Sequence, residues 1–158
     1  MAKPASKAEV ETLRKNEAKW TKTVLAAGWN AFPSIIIEKQ EALGLDAIDI
    51  NIILHLSNYW WVKENLPHPS VGAVAKALRI SERTVQKRIT ALCKTGFMER
   101  TERRNTRVGS TTNLYSFNGL IEKVSPFAKE KLQQVEKHQE EKAERLARKR
   151  PKLVVDNE

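Results

Sequence analysis

The stretch from residue 70 to residue 117 constrains this chain more than any other. Ser70 stands directly before Val71, Val74, Ala75 and Leu78, a spacing that predicts a short helix with a serine cap. After the turn Arg79-Ile80, Ser81 caps a second helix that carries Val85, Ile89 and Leu92 on one side. Gly96 ends that helix, and Phe97-Met98-Glu99-Arg100-Thr101 continues as a strand. Asn105-Thr106 and Gly109-Ser110 supply turn residues before the chain returns through Leu114-Tyr115-Ser116-Phe117. Two short helices and a hairpin form the layout of a winged helix-turn-helix. The expected fold class is mainly α with a small β-hairpin wing, extended by helices at the N- and C-terminal ends.

The second helix divides cleanly by face. At about 100° per residue, Val85, Ile89 and Leu92 share one sector, which must be buried. The opposite sector holds Arg83, Lys87, Thr90 and Lys94, flanked by Thr84 and Gln86. Arg can fork onto guanine, Gln can pair with adenine, and the Thr methyl can meet the thymine methyl. The helix N-terminus at Ser81 suits a backbone phosphate. An ordinary solvated helix face mixes its charges, whereas the only acid here, Glu82, lies at the edge of the apolar stripe. Lys76 and Arg88 are further candidate phosphate contacts. In the hairpin, Arg103, Arg104 and Arg107 cluster near the turn, where they can grip the flanking DNA backbone or the minor groove.

Charge is distributed to match. The formal net charge is +9, and residues 70 to 110 carry ten Lys or Arg against three acids. Residues 1 to 69 carry eight of each sign. A basic balance alone fits RNA, a membrane surface or an acidic protein. Its concentration on the two-helix unit and hairpin favours double-stranded DNA.

Pro67-His68-Pro69-Ser70, Val74-Ala75-Lys76-Ala77-Leu78, Ser81 to Ile89, Leu92, Gly96-Phe97 and Asn113-Leu114-Tyr115 together resemble one helix-turn-helix family. Its members are winged-helix domains of bacterial, plasmid and phage replication and regulatory proteins. The resemblance spans about residues 30 to 124, taking in Phe32-Pro33, Ala42 to Leu45 and Trp60-Trp61 upstream and Gly119-Leu120-Ile121 downstream. It implies a domain that serves transcription factors, replication initiators and primosome components alike. Longer relatives carry a further replication domain for which this chain has no room, which favours a stand-alone regulator over an initiator.

The remaining segments divide the chain into three. Residues 1–29 contain a capping box at Ser6 to Glu9, then Val10, Leu13, Trp20 and Val24 at helical steps, with Gly28 as the stop. Residues 30–124 are the winged DNA-binding unit. Within them, Ala31 to Ile37 is β-rich and reads as an edge strand or extended arm, because Pro33 excludes a central strand. Asp46 and Asp49 then open a helix whose apolar side is Ile48, Ile52, Ile53, Leu56, Tyr59 and Trp60. Trp60 and Trp61 could stack single strands, but packing is the expected role of both. Residues 125–158 form a charged helix over 126–149, with Ser125 as cap and Pro126 in its first turn, followed by a basic tail. That tail, from Arg145 to Lys152, is either a second DNA-gripping arm or simply solvated. Leu132, Val135 and Leu146 are too sparse for a strong coiled coil. Both terminal helices nevertheless suit a homodimer reading an inverted repeat; the alternative is a monomer whose N-terminal helix completes its own core.

No enzyme is expected. His55, His68 and His138 lack metal-ligand spacing with one another or with Cys93, and no phosphate-binding glycine loop or nucleophile elbow occurs. No cofactor, metal ion, catalytic residue or small-molecule effector is expected, and Cys93 reads as a core-edge residue. The lone cysteine and the lack of a signal or membrane-spanning stretch fit a cytoplasmic, nucleoid-associated protein. Two functions follow: a sequence-specific transcriptional regulator, or a replication or partition accessory protein of a mobile element. The second would use the winged domain for assembly with replication or transcription proteins or for nonspecific DNA binding.

Overall fold

A computed structural model describes residues 7–105, 109–110 and 112–148. Helix α1 (Lys7–Trp20) and the short α2 (Lys22–Ala26) precede α3 (Ser34–Glu38) and α4 (Ala47–Ser57). The helix-turn-helix consists of α5 (Val71–Leu78) and α6 (Glu82–Lys94). The wing contains β1 (Glu99–Thr101), β2 (Arg104–Asn105), β3 (Gly109–Ser110) and β4 (Leu114–Ser116), and α7 (Asn118–Arg148) closes the chain. This is the expected winged helix-turn-helix with helical extensions.

Local chemistry fixes the central unit. Asp46 caps α4 by accepting from the backbone N–H groups of Ile48 and Asp49, both at 2.9 Å, while Asp49 returns a bond to the Asp46 N–H. Ser70 and Ser81 cap α5 and α6 as expected, each accepting at 3.1 Å from the backbone N–H three residues on. Arg79 adopts φ 54° between the two helices, and Ile80 N–H closes onto Ala75 O at 3.1 Å. Three buried stripes then meet: Ile52, Ile53 and Leu56 of α4, Val74 and Ala75 of α5, and Val85, Ile89 and Leu92 of α6. Phe97, Met98, Tyr115 and Phe117 bring the root of the wing into the same core. The wing is antiparallel, with Arg100 opposite Tyr115 and Arg104 opposite Ser110.

Several expectations are corrected. Residues 34–38 are helical, not a strand: burying Ile36 against the core outweighs the β preference of three consecutive isoleucines. The N-terminal helix breaks at Thr21, which has φ 69°, so α1 and α2 are separate; the Ser6 cap lies outside the described residues. Helix α4 stops at Ser57, leaving Tyr59 exposed beyond its end. Trp60 packs on Phe117 with ring centroids 5.7 Å apart, but Trp61 is 70% exposed and does not pack.

The last helix begins at Asn118, about two turns before the expected cap at Ser125, and Pro126 sits inside it. Leu120 and Val124 are buried, which anchors those earlier turns. Ser125 caps nothing: its hydroxyl donates to Ile121 O at 2.7 Å. Proline there removes one backbone bond on an exposed face, where water can satisfy the freed carbonyl. Gly119 is required at the root of α7, because a Cβ would come within 2.0 Å of Gly96 O. Gly96 itself holds φ 73°, turning the chain out of α6 at the point where α7 packs.

Candidate nucleic-acid interface

The buried stripe of α6 sets the opposite face toward solvent. Val85, Ile89 and Leu92 are nearly inaccessible, whereas Arg83, Gln86, Lys87, Thr90 and Lys94 are exposed. Among the described residues, Arg83, Lys87 and Lys94 have no ion-pair partner, so their charge is available to a ligand. Thr84 is half-buried, and its hydroxyl lies 2.8 Å from Ser81 Oγ in the cap. Its methyl remains the group with which it could meet a base. Lys76 is exposed in the last turn of α5.

Arg88 has a different role from the phosphate contact expected of it. Its guanidinium pairs with Asp46 at 2.5 Å and approaches Asp49 at 3.6 Å, tying α6 to the start of α4. That pairing engages its charge within the fold, with the side chain about one-third exposed. Burial raises the Asp46 carboxyl, but the Asp49 N–H, the Arg88 charge and the Ile48 N–H outweigh it, and the group stays below the ordinary carboxylate range. Asp49 moves the other way. Burial dominates and raises it, helped by the neighbouring Asp46 charge and opposed by the Asp46 N–H and Arg88. Its Oδ1 is buried without a hydrogen-bond partner among the described residues.

The wing also spends one expected DNA ligand internally. Arg103 donates from Nε to Thr112 O at 2.8 Å and from Nη2 to Thr112 Oγ1 at 2.9 Å, bridging the two arms of the hairpin. It is half-buried and braces the hairpin through these bonds. Arg107 and the side chain of Arg104 lie outside the described residues, as does the tail beyond residue 148. Arg100, exposed on β1 opposite Tyr115, adds a cation beside the wing. Cys93 is half-buried at the core edge, and burial pushes its thiol up, away from the reactive thiolate.

Sequence reasoning missed Asp46 and Asp49 as anchors of the recognition helix. Their partner, Arg88, is distant in the chain, and nothing in local spacing marks the pair. The helix-cap signal identified both acids, but for a local role only.

A helix whose cationic face has no ion-pair partner among the described residues, stacked on α4 and α5 and followed by a braced hairpin, defines a winged helix-turn-helix protein. The sequence pattern of the DnaD N-terminal domain matches residues 32–138, and the chain belongs to that family. Among curated proteins, none is a significant match. The N-terminal domain of DnaD protein from Geobacillus kaustophilus HTA426 has a similar structure, with TM-score 0.53 and 20% identity. That likeness covers 78% of this chain and 96% of that domain. A mutant of MepR from a multidrug-resistant S. aureus clinical isolate is less similar, at TM-score 0.42 and 15% identity over 92% of this chain and 95% of that one. MarR from Listeria monocytogenes 4b F2365 gives 0.38 and 18%, covering 94% and 95%. Among the described residues, no helix is long and apolar enough to cross a membrane.

Proposed function

We propose that this chain is a non-enzymatic duplex DNA-binding protein acting in DNA replication. The unpaired cationic face of α6 carries this reading: Arg83, Gln86, Lys87, Thr90 and Lys94 stand exposed together on a helix whose other side is locked into the core. The α6 face, with Lys76 and the wing arginines, makes the contact, and residues 30–124 form the DNA-reading unit. Membership of the DnaD N-terminal domain family favours replication over the transcriptional role that the recognition helix alone would suggest. A sequence-specific regulator is the second reading, supported by the mixture of Arg, Gln and Thr on that face.

The flanking helices suit self-association into a dimer. Val10, Leu13 and Trp20 of α1, and Leu132, Val135 and Leu146 of α7, are all exposed apolar side chains at helical spacing. Dimerisation would place two recognition helices on one duplex.

Selection of bound duplexes from a random pool at physiological salt tests the reading, with Arg83→Ala and Arg104→Ala compared on the recovered DNA. An enriched inverted repeat identifies a dimeric, site-specific protein. Retention without enrichment identifies a nonspecific replication clamp. Arg83→Ala is expected to cost about 1–3 kcal/mol of base discrimination, while Arg104→Ala weakens all duplexes alike and reduces the salt slope by about one. Wild-type binding by both variants would remove α6 and the wing from the interface.

A further inference from the structure

Three of the four tryptophans are solvent-exposed: Trp20 at 63%, Trp29 at 52% and Trp61 at 70%. One exposed aromatic needs no explanation, but two of these converge on the same recess. Trp29, Trp60 and Trp61 line a half-open cleft of 210 Å³ with Asn30, Ala31, Ser57 and Asn58. It lies at the C-terminal end of α4. The Arg88 anchor is at the opposite end of that helix, about 15 Å away along its axis.

Part of the cleft wall is anchored to the fold. Trp60 packs on Phe117, and its indole N–H donates to Lys63 O at 3.4 Å. Asn30 donates through Nδ2 to Ser57 Oγ at 2.8 Å, and Ser57 in turn donates to Leu54 O at 3.0 Å. A second, longer bond from Asn30 Nδ2 to Leu54 O at 3.5 Å uses the other amide hydrogen and leaves its Oδ1 as an acceptor at the cleft. The Asn58 carboxamide has no partner among the described residues, so it offers a donor and an acceptor. Flat aromatic faces beside free carboxamides match an unpaired nucleobase, which has a π-face to stack and a polar edge to bond.

Size and charge narrow the occupant. The recess is smaller than the roughly 300–1,000 Å³ that encloses a drug-sized ligand, so it suits one planar ring system. It is a single recess and not the extended groove that a proline-rich peptide lies along. None of its lining residues is acidic, and the chain's +9 draws in a polyanion. We infer that the Trp29–Trp60–Trp61 cleft binds a base of single-stranded nucleic acid, by stacking and amide hydrogen bonds, at a site separate from the α6 face. This does not depend on the duplex reading, since no α6 residue lines the cleft.

The test uses the full chain, with fluorescence anisotropy of a labelled oligothymidylate, an abasic strand of equal length and a duplex. Wild type is expected to bind the oligothymidylate more tightly than the abasic strand. Trp61→Ala and Trp29→Ala should each lose about tenfold of that affinity, the scale of one stacked base, and leave duplex binding unchanged. Both side chains are exposed, so thermal unfolding should match wild type. Trp61→Phe should retain most of the binding. Arg83→Ala should weaken duplex binding and spare the single strand. Equal binding of the oligothymidylate and abasic strands, or undiminished binding in both tryptophan variants, overturns the inference. So does parallel loss of both DNA forms in Arg83→Ala, or tryptophan quenching by a polyproline peptide and not by oligothymidylate.

Discussion

The two ends of α4 support surfaces of opposite chemistry. At its start, Asp46 and Asp49 pair with Arg88 of α6, whose buried stripe turns outward a face of cations and an amide with no aromatic ring. At its end, Ser57 and Asn58 border a recess of three tryptophans with no charged lining residue. A duplex hides its base faces and displays phosphate and base edges, so a charged helix can engage it. An unpaired strand displays the base faces themselves, which a charged helix cannot stack on. The helix between them is buried through Ile52, Ile53 and Leu56, so one rigid element spaces the two surfaces.

The largest expected effect breaks both surfaces together. Gly119→Ala puts a methyl 2.0 Å from Gly96 O, a backbone atom that cannot rotate away. Helix α7 must lift from the loop that ends α6, exposing Leu120 and Val124. A loss of about 3 kcal/mol or more in urea unfolding is expected, at the upper end for overpacking. Both DNA forms should then be bound more weakly through loss of folded protein. A variant of wild-type stability would show that α7 does not need this close approach.

Arg88→Gln separates fold from function. Removing this cation leaves Asp49, a buried carboxylate with one unpartnered oxygen, without its counter-charge. The guanidinium is about one-third exposed and Asp46 nearly half, so the expected cost lies between the limits for exposed and buried pairs, about 1–2 kcal/mol. Duplex affinity of the folded variant should be close to wild type, in contrast with Arg83→Ala. The two acids also act oppositely with pH. Asp46 is depressed below 3.8, so its stabilisation is present above that value and is lost as pH falls through its folded pKa. Asp49 is raised above 3.8; its ionisation therefore costs stability at higher pH, and the cost disappears as acid protonates it. Asp49→Asn should consequently flatten the decline in stability as pH rises above 3.8, measured by urea midpoints across the acid range.

These contrasts track what could be read along the chain. The helix-turn-helix was legible because its signals are local: Ser70 and Ser81 cap, and Val85, Ile89 and Leu92 recur at one helical spacing. The orientation of Arg88 was not legible, because its partners lie on another helix. Ile35 to Ile37 misled for the same reason, since a strand preference gives way once Ile36 has a core to enter. Pro126 suggested a helix start, yet the buried pair Leu120 and Val124 carries the helix past it. Trp61 was expected to pack like its neighbour. Adjacent residues beyond the end of α4 diverge, and only Trp60 reaches Phe117. The cleft was invisible because Trp29 and Trp61 meet only in three dimensions.

The smallest expected effect concerns the wing. Arg103 was expected to grip DNA, but its bonds to Thr112 make it a brace for the hairpin. Arg103→Ala should cost about 0.5–1.5 kcal/mol in stability, the scale of an ordinary hydrogen bond. If bracing holds the guanidinium away from the phosphates, duplex affinity should fall only slightly, and the salt slope should remain unchanged. Arg104→Ala should reduce that slope by about one, as loss of a single phosphate contact requires. Salt titrations of the two variants side by side distinguish the roles. A unit change with Arg103→Ala would make Arg103 a DNA ligand and place the cationic surface across the whole wing, sharpening its contrast with the uncharged tryptophan cleft.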